Sequence, residues 1–427
     1  MIINYIDYLG LYDIDAIESI SMYYYYKNMV YKKLGKKSEN TIENGVLQLN
    51  NKKETILFVD AMSIDYIPNT TYYRGLGGTQ NSICYFACAL SKYYNVLLLN
   101  KKTTKTIELC NNIYTLSYDT IRNMMNMINN ICPDIIVYNY IGYGEVLRKG
   151  VYKKCKLYMY EHICLYSNYE AKLKQDYINN YDKIIFVSED QKQTYINKFG
   201  INSSKVEVIN NGLSPICRYG GEKCIKNLWK KKKLQIIYFS SPQRGLECFI
   251  YIFPLLKQLY PELTLKIYSS LDIYNEKDIM GKLYEELGDI DGVEYIGSVD
   301  QETLMEEIEL SLLFIYPVYV YETFCNCMVE AMSKGCYVIA TNIGALKKIA
   351  NNYGDFIDVK IDNVDNHPYY GAITKEYVKK VVKCAKNVIE MYKKKDEKLE
   401  LRLQEQIKYV YNNYDWDKNV YSKLFMG

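Results

Sequence analysis

Two successive runs of short apolar strands alternating with helix-length stretches, broken once by a polar linker, leave this chain few folds to choose from. In the first run the strand candidates are Ile56–Asp60, Val96–Asn100, Ile135–Asn139, Lys156–Tyr160, Lys183–Ser188 and Val206–Ile209. Helix-length segments such as Thr79–Tyr93 and Tyr118–Asn130 lie between them. Apolar strands separated by helices predict a parallel sheet covered on both faces. The rhythm stops over Ser214–Lys233, where a Pro, two adjacent Gly and a lysine run read as a linker. It restarts at Leu234–Ser240 and continues through LTLKIYSS, VEYIGSV, LSLLFIYP and CYVIATN. The expected organisation is a helical extension over residues 1–53, a doubly wound domain over 54–213, the linker over 214–233, a second doubly wound domain over 234–395, and a helical tail over 396–427 crossing back to the first domain. Two such sheets facing each other leave a cleft lined by the C-terminal ends of their strands, where ligands of open α/β sheets bind.

Composition narrows the partners. Lys plus Arg number 53 against 50 Asp plus Glu, a formal charge of +3 that gives no footprint for nucleic acid. Thirteen Cys, an odd count with irregular spacing and no charged-then-apolar leader, predict reduced thiols and a cytoplasmic setting. Cys325 and Cys327 lack the second pair that a zinc site needs. No apolar run reaches the roughly 18 residues of a membrane span. The aromatic and lysine cluster Met22–Lys37 suits peripheral contact with a membrane surface, although a helix packed on its own domain is the commoner use of such a stretch.

The chemistry-bearing stretch is Tyr321–Gly335, YETFCNCMVEAMSKG, in which Glu322 and Glu330 stand eight residues apart beside a small, apolar run. Burying a carboxylate without a partner costs several kcal/mol, so each should have something to hold. If the segment after Asn326 is helical, that spacing is on the order of 12 Å along the axis, better suited to a long polar ligand than to one metal ion. A helix with one solvated Glu at each end is the structural alternative. Gly77 and Gly78 directly precede a helix start whose amides could hold a phosphate or a sugar hydroxyl, but the stretch lacks the third glycine of a dinucleotide fingerprint. Arg244 follows a strand at the cleft, where a guanidinium fork can bind two phosphate oxygens, or else cap a surface loop. Gly245 beside it would allow the backbone to approach a ligand closely. The chain has two histidines, of which His367 lies in a polar turn and His162 immediately follows a strand of the first sheet. Alone, His162 reads as structural more readily than catalytic.

In order along the chain, YRGLGGTQNS, YEHICLYS, IIFVSEDQKQTYINKFG, KVEVINNG, SSPQRGLECFIYIFP and YETFCNCMVEAMSKGCYVIATNIGALKKI resemble the retaining, GT-B-fold glycosyltransferases of family 4 and their near relatives, from about Ile56 to Ile349. The resemblance implies two Rossmann-like domains facing across a cleft and a hexosyl-type transfer from a nucleotide-diphosphate sugar, of UDP or GDP type, to a glycan, lipid or protein acceptor in glycan biosynthesis. It implies that Glu322 of the E-x7-E pattern contacts the transferred sugar and Glu330 the ribose, with the backbone around Thr323, Phe324 and Cys325 and the side chain of Arg244 at the phosphates. It places His162 at the reaction centre. No cofactor or metal is expected. Three positions depart from the pattern: Cys325 replaces the usual Gly, no second basic residue precedes Arg244 in YFSSPQ, and Gln80 stands where an acidic residue is frequent on the acceptor side. The missing base supports a rival reading, a catalytically weak sugar- or nucleotide-binding protein that keeps the cleft.

Overall fold

In the computed structural model the described residues are 41–424 apart from 44–45, 63, 69, 71–73, 102–107, 111, 140–143, 152–153, 166–177, 215–216, 218–224, 226–227, 275–276 and 360–373. The helical extension up to residue 40, with the Met22–Lys37 cluster, and His367 lie outside them. Beyond residue 40 the helical reading is corrected: Thr41–Glu43 and Val46–Gln48 pair as antiparallel strands. β-Branched Thr41, Ile42 and Val46 suit a paired strand.

The first sheet contains β1 (Thr55–Asp60), β2 (Asn95–Asn100), β3 (Glu108–Cys110), β4 (Ile113–Ser117), β5 (Ile135–Asn139), β6 (Lys156–Glu161), β7 (Lys183–Phe186) and β8 (Val206–Val208). Their order is β8-β7-β6-β5-β1-β2-β4-β3, parallel throughout except for the edge strand β3. Every residue of β1, β2 and β5 is buried, which explains the apolar runs between their polar ends. Ile56 and Phe58 pack on the face that carries α1 (Gly78–Leu90), whereas Leu57 and Val59 pack on the other. The helix after β4 is α2 (Ile121–Ile131), starting later than its apolar pattern suggests. Thr120 caps it by accepting from the Asn123 amide at 3.1 Å, and Tyr118 still belongs to the sheet edge, its amide donating to Asn100 O.

The second sheet contains β9 (Lys233–Tyr238), β10 (Thr264–Ile267), β11 (Val293–Tyr295), β12 (Ser311–Tyr316), β13 (Tyr337–Thr341) and β14 (Asp355–Ile357), ordered β11-β10-β9-β12-β13-β14 with every pair parallel. The order reverses at β1/β5 in the first sheet and at β9/β12 in the second, and a crevice opens beyond the C-terminal ends of the strands at such a switch point. Between β12 and β13 lies α3 (Asn326–Ser333).

The tail crosses back later than residue 396. Helix α4 (Glu397–Asn413) stays on the second domain, with Gln406 Nε2 donating to Met332 O at 3.1 Å and Cys336 O at 3.0 Å. The crossing falls at Tyr414, whose carbonyl accepts from the Leu213 amide, and α5 (Trp416–Leu424) lies on α1. There the Trp416 ring stacks on Phe86 with centroids 6.0 Å apart and planes at 19°. Lys92 pairs with Asp417 at 2.8 Å, and Gly212 is obligatory because a Cβ there would come within 2.7 Å of the Trp416 backbone nitrogen. Removing a buried indole costs about 3–5 kcal/mol. Trp416→Ala is therefore expected to lower the thermal midpoint by several degrees, and a melting curve superimposable on that of the unaltered protein would contradict a locking role for this helix.

Candidate active site in the interdomain cleft

The C-terminal ends of β9 and β12 deliver Ser240, Arg244 and Glu322 to one wall of a cavity, and the end of β6 delivers His162 to the opposite wall. Arg244 Nη1 lies 3.4 Å from Glu322 Oε1, and the same oxygen accepts from the Tyr316 hydroxyl at 2.8 Å. Burial works to lower the Arg244 pKa, but Glu322 and the neighbouring Tyr316 and Tyr274 hold it above its ordinary value, so the guanidinium stays charged. Glu322 is only 6 % exposed and Arg244 keeps over a third of its side chain open to the cavity. A carboxylate satisfied on one side and a cation facing outward suit a ligand with both hydroxyls and phosphate.

Two glycines fix this arrangement, one differently from expectation. Gly245, at φ +90°, is needed because a side chain would collide with the Pro317 backbone; its close approach is to the protein itself. Gly344, at φ +58°, lies against the backbone of Glu322, whose carbonyl accepts from the Ala345 amide at 2.9 Å. The GCYVIATNIGAL strand and turn therefore support the Glu322 loop from beneath.

Behind Glu322 the chain enters α3. Cys325, its N-cap, has φ −108° and ψ 97°, a conformation open to any residue, and its sulfur accepts from the Met328 amide at 3.4 Å. The cysteine in place of glycine thus causes no backbone strain. Thr323 Oγ1 donates to the carbonyl of His162 at 2.8 Å, joining the two domains at the cavity wall. Phe324 lines the cavity while its ring packs edge-on against Tyr414, centroids 5.6 Å apart. Glu330, five residues beyond Cys325 on the helix, is buried and lines the same cavity. Burial raises its pKa to about 7, partly opposed by a hydrogen bond from Gln301.

Of the two glycines at the start of α1, Gly78, its first residue, reaches the cavity wall and Gly77, its N-cap, does not. A Cβ on Gly77 would stand 2.7 Å from the Tyr274 ring, so this glycine lets the second domain pack on the loop. The Gly78 carbonyl accepts from Asn326 Nδ2 at 3.2 Å, and Asn326 Oδ1 accepts from Asn211 at 3.0 Å. Asn326 and Asn211, both on the cavity wall, escaped the sequence reading because only the fold brings them together. Gln80 is buried instead of facing an acceptor, donating to Asp60 Oδ2 at 3.2 Å in a network with Tyr66 and Asn139.

His162 is left partly unpaired. Its Nε2 is buried with no hydrogen-bond partner among the described residues, and its ring meets Tyr160 at 4.3 Å. Burial lowers its pKa to about 3, so the imidazole is neutral. An unpaired buried nitrogen costs about 1–3 kcal/mol, which a ligand in the cavity can offset. Among the described residues no three His, Cys, Asp or Glu side chains gather as a metal would require.

Comparison with known proteins agrees with this layout. Residues 102–215 match the family model Glycosyltransferase Family 4, and residues 222–366 match Glycosyl transferases group 1. An uncharacterized glycosyltransferase of Methanocaldococcus jannaschii is 26% identical over 207 residues, 45% of this chain and 50% of that protein, so the chain spans half the length of this curated relative. Sucrose-phosphate synthase from Thermosynechococcus elongatus superposes with a TM-score of 0.61 at 14% identity, covering 87% of this chain and 97% of that one. Anabaena HepE in complex with UDP-glucose gives 0.59 at 14% identity over 86% and 98% of the two chains. At such identities the structural matches carry the fold. Together with the two family matches, they place the chain among the GT-B glycosyl transferases of group 1, of the family 4 type. No described helix is long and apolar enough to cross a membrane.

The Glu330 carboxyl has a definite pH signature. Because its folded pKa of about 7 exceeds the ordinary 4.5, the stability it contributes is present below pH 4.5 and is lost as pH rises through 7. At about 1.4 kcal/mol per pKa unit the loss amounts to at most about 3.5 kcal/mol. Glu330→Gln should remove it, so the melting temperature of the variant relative to the unaltered protein is expected to rise from pH 5 to pH 8. A difference that stays constant across that range would refute the burial of this carboxyl.

Proposed function

We propose that the chain is a retaining glycosyltransferase that moves a sugar, of hexosyl type, from a nucleotide-diphosphate donor to an acceptor hydroxyl. The observation that carries the proposal is the meeting, on one cavity, of the paired Glu322 and Arg244, the start of α3, the buried Glu330 and an unpaired His162. Glu330 takes the ribose, Arg244 and the amides at the start of α3 take the pyrophosphate, Glu322 takes hydroxyls of the sugar, and His162 faces the sugar from the first domain. HepE with UDP-glucose and an Escherichia coli trehalose-6-phosphate protein bound with UDP-2-fluoro glucose, which share this fold, support a donor of the UDP type.

In the reaction the bond between the anomeric carbon and the phosphate oxygen breaks, and a bond from the acceptor oxygen to the same carbon forms. Positive charge builds on the sugar and negative charge on the departing phosphate. Arg244 and the helix-start amides face that departing charge, and such preorganised electrostatics lower the barrier. A neutral imidazole that resists protonation is a poor general base. The acceptor proton therefore leaves on the departing phosphate, on the face from which the new bond forms, and configuration is retained. Since Arg244 fills the place of a cation, turnover is proposed to need no metal, and EDTA should leave the rate unchanged; strict dependence on added manganese would contradict this. The odd cysteine count supports a cytoplasmic setting, and the acceptor is a glycan, lipid or protein hydroxyl.

A second reading, a binding protein with little turnover, rests on Arg244 being the one lysine or arginine among the described residues on the cavity wall. The two separate cleanly. Incubation with UDP- and GDP-sugars, followed by proton NMR of the products, is expected to show transfer or slow donor hydrolysis with the anomeric configuration of the donor. Tight nucleotide binding without release of sugar would favour the binding protein, and an inverted product would remove the retaining assignment. His162→Ala should lower kcat at least tenfold while nucleoside diphosphate affinity stays within about twofold, because transition-state contacts register in kcat. Near-normal turnover per folded molecule would return His162 to a structural role.

A further inference from the structure

Next to His162, at the end of β6, stands a further buried carboxylate, one that the proposed reaction does not use. Glu161 is 3 % exposed, and its Oε1 accepts from the Ile163 amide at 2.7 Å. The backbone amide of His162 is its other partner, so the side chain folds over the turn that carries the imidazole. The rest of that turn is held equally firmly. Gln191 Nε2 donates to the carbonyls of Glu161 at 3.1 Å and of Ile163 at 3.0 Å, and the Tyr195 hydroxyl donates to Ile163 O at 3.1 Å. Thr323 takes the His162 carbonyl from the other domain. Backbone groups on both sides of His162 are therefore pinned, while the buried imidazole Nε2 has no partner among the described residues.

A carboxylate is an expensive way to cap two amides in a dry place. Burial raises the Glu161 pKa to about 7, the two amide bonds oppose the rise, and no cation is among its causes. An oxygen acceptor at the end of a flexible side chain does, however, fix the direction in which the next side chain leaves the strand. We propose that Glu161 is a positioning residue that fixes the turn at residues 161–163 so that the His162 imidazole points into the cavity. The inference rests on the reading that His162 works at the reaction centre.

The test uses Glu161→Met, which keeps the volume and removes the acceptor, and Glu161→Gln, which keeps an oxygen acceptor. Turnover, donor KM and melting temperature are measured for each, alone and combined with His162→Ala. Glu161→Met is expected to lower kcat about tenfold with donor KM within twofold, Glu161→Gln to restore most of it, and Glu161→Met to change nothing further once His162 is gone. Losses from the two sites that multiply independently, or a loss that follows the unfolded fraction, would overturn the proposal. A turnover of His162→Ala equal to the unaltered protein would instead sink the underlying reading of His162. An activity-independent readout comes from the two histidines of the chain, whose ring signals in a nitrogen-15 NMR spectrum can be assigned with His162→Ala. The His162 signals should shift or broaden in Glu161→Met and return in Glu161→Gln; unchanged signals in Glu161→Met would overturn the proposal even if turnover is too slow to measure. Should Glu161→Met fail to fold, Glu161→Asp, one methylene short of both amides, carries the same readouts.

Discussion

Glu322 lies in the cleft because Arg244 and Tyr316 meet it there, and much of the site follows from that contact. A buried carboxylate without partners costs several kcal/mol, whereas a guanidinium at 3.4 Å and a hydroxyl at 2.8 Å supply charge and hydrogen bonding together. The contact requires the ends of β9 and β12 to be neighbours, which the reversal of strand order at that point provides. It also requires Gly245 and Gly344, each placed where a side chain would strike the backbone of the loop that carries Glu322. The peptide that leaves Glu322 then enters α3, so the helix start, the carboxylate and the guanidinium are delivered as one unit.

Several polar contacts join that unit to the first domain. Thr323 reaches His162, Asn326 reaches Gly78 and Ser82, Tyr321 reaches Asp190, and Lys348 pairs with Asp190 as well. Polar interfaces of this kind reform more readily than hydrophobic cores, which suits domains that must part to admit and release ligands. The apolar lock is elsewhere, where the Trp416 ring stacks on Phe86 and the tail returns to the first domain.

Local patterning was enough to read both sheets, because strands buried on both faces leave uninterrupted apolar runs. It does not reach β3 and β14, three residues each, although the equally short edge strands β8 and β11 are legible, nor β4, which runs directly into the segment read as a helix from Tyr118. The E-x7-E pair is legible as a pattern but not as a helical distance, because α3 begins at Asn326 and Glu322 stands in the loop before it. Asn211, Asn326 and Glu161 are not legible, since their roles depend on neighbours far along the chain or on the path of a single turn. Lys232 misled in the opposite sense. Read as part of a linker's lysine run, it is buried, and its ammonium donates to Ser311 O at 2.7 Å and Lys334 O at 2.8 Å, tying the entry of the second domain to its own sheet. Charge runs look solvated until the fold supplies carbonyls to receive them.

The central claim is one of orientation: the second domain holds the nucleotide with its pyrophosphate between Glu322 and Glu330, at Arg244 and the start of α3. Crystals grown with UDP or GDP test it most directly. The account predicts phosphate oxygens within hydrogen-bonding distance of Arg244 and of the backbone amides at 325–326, with the ribose hydroxyls on Glu330. A nucleotide seated on the first domain, or one whose phosphates make no contact with Arg244, would contradict it.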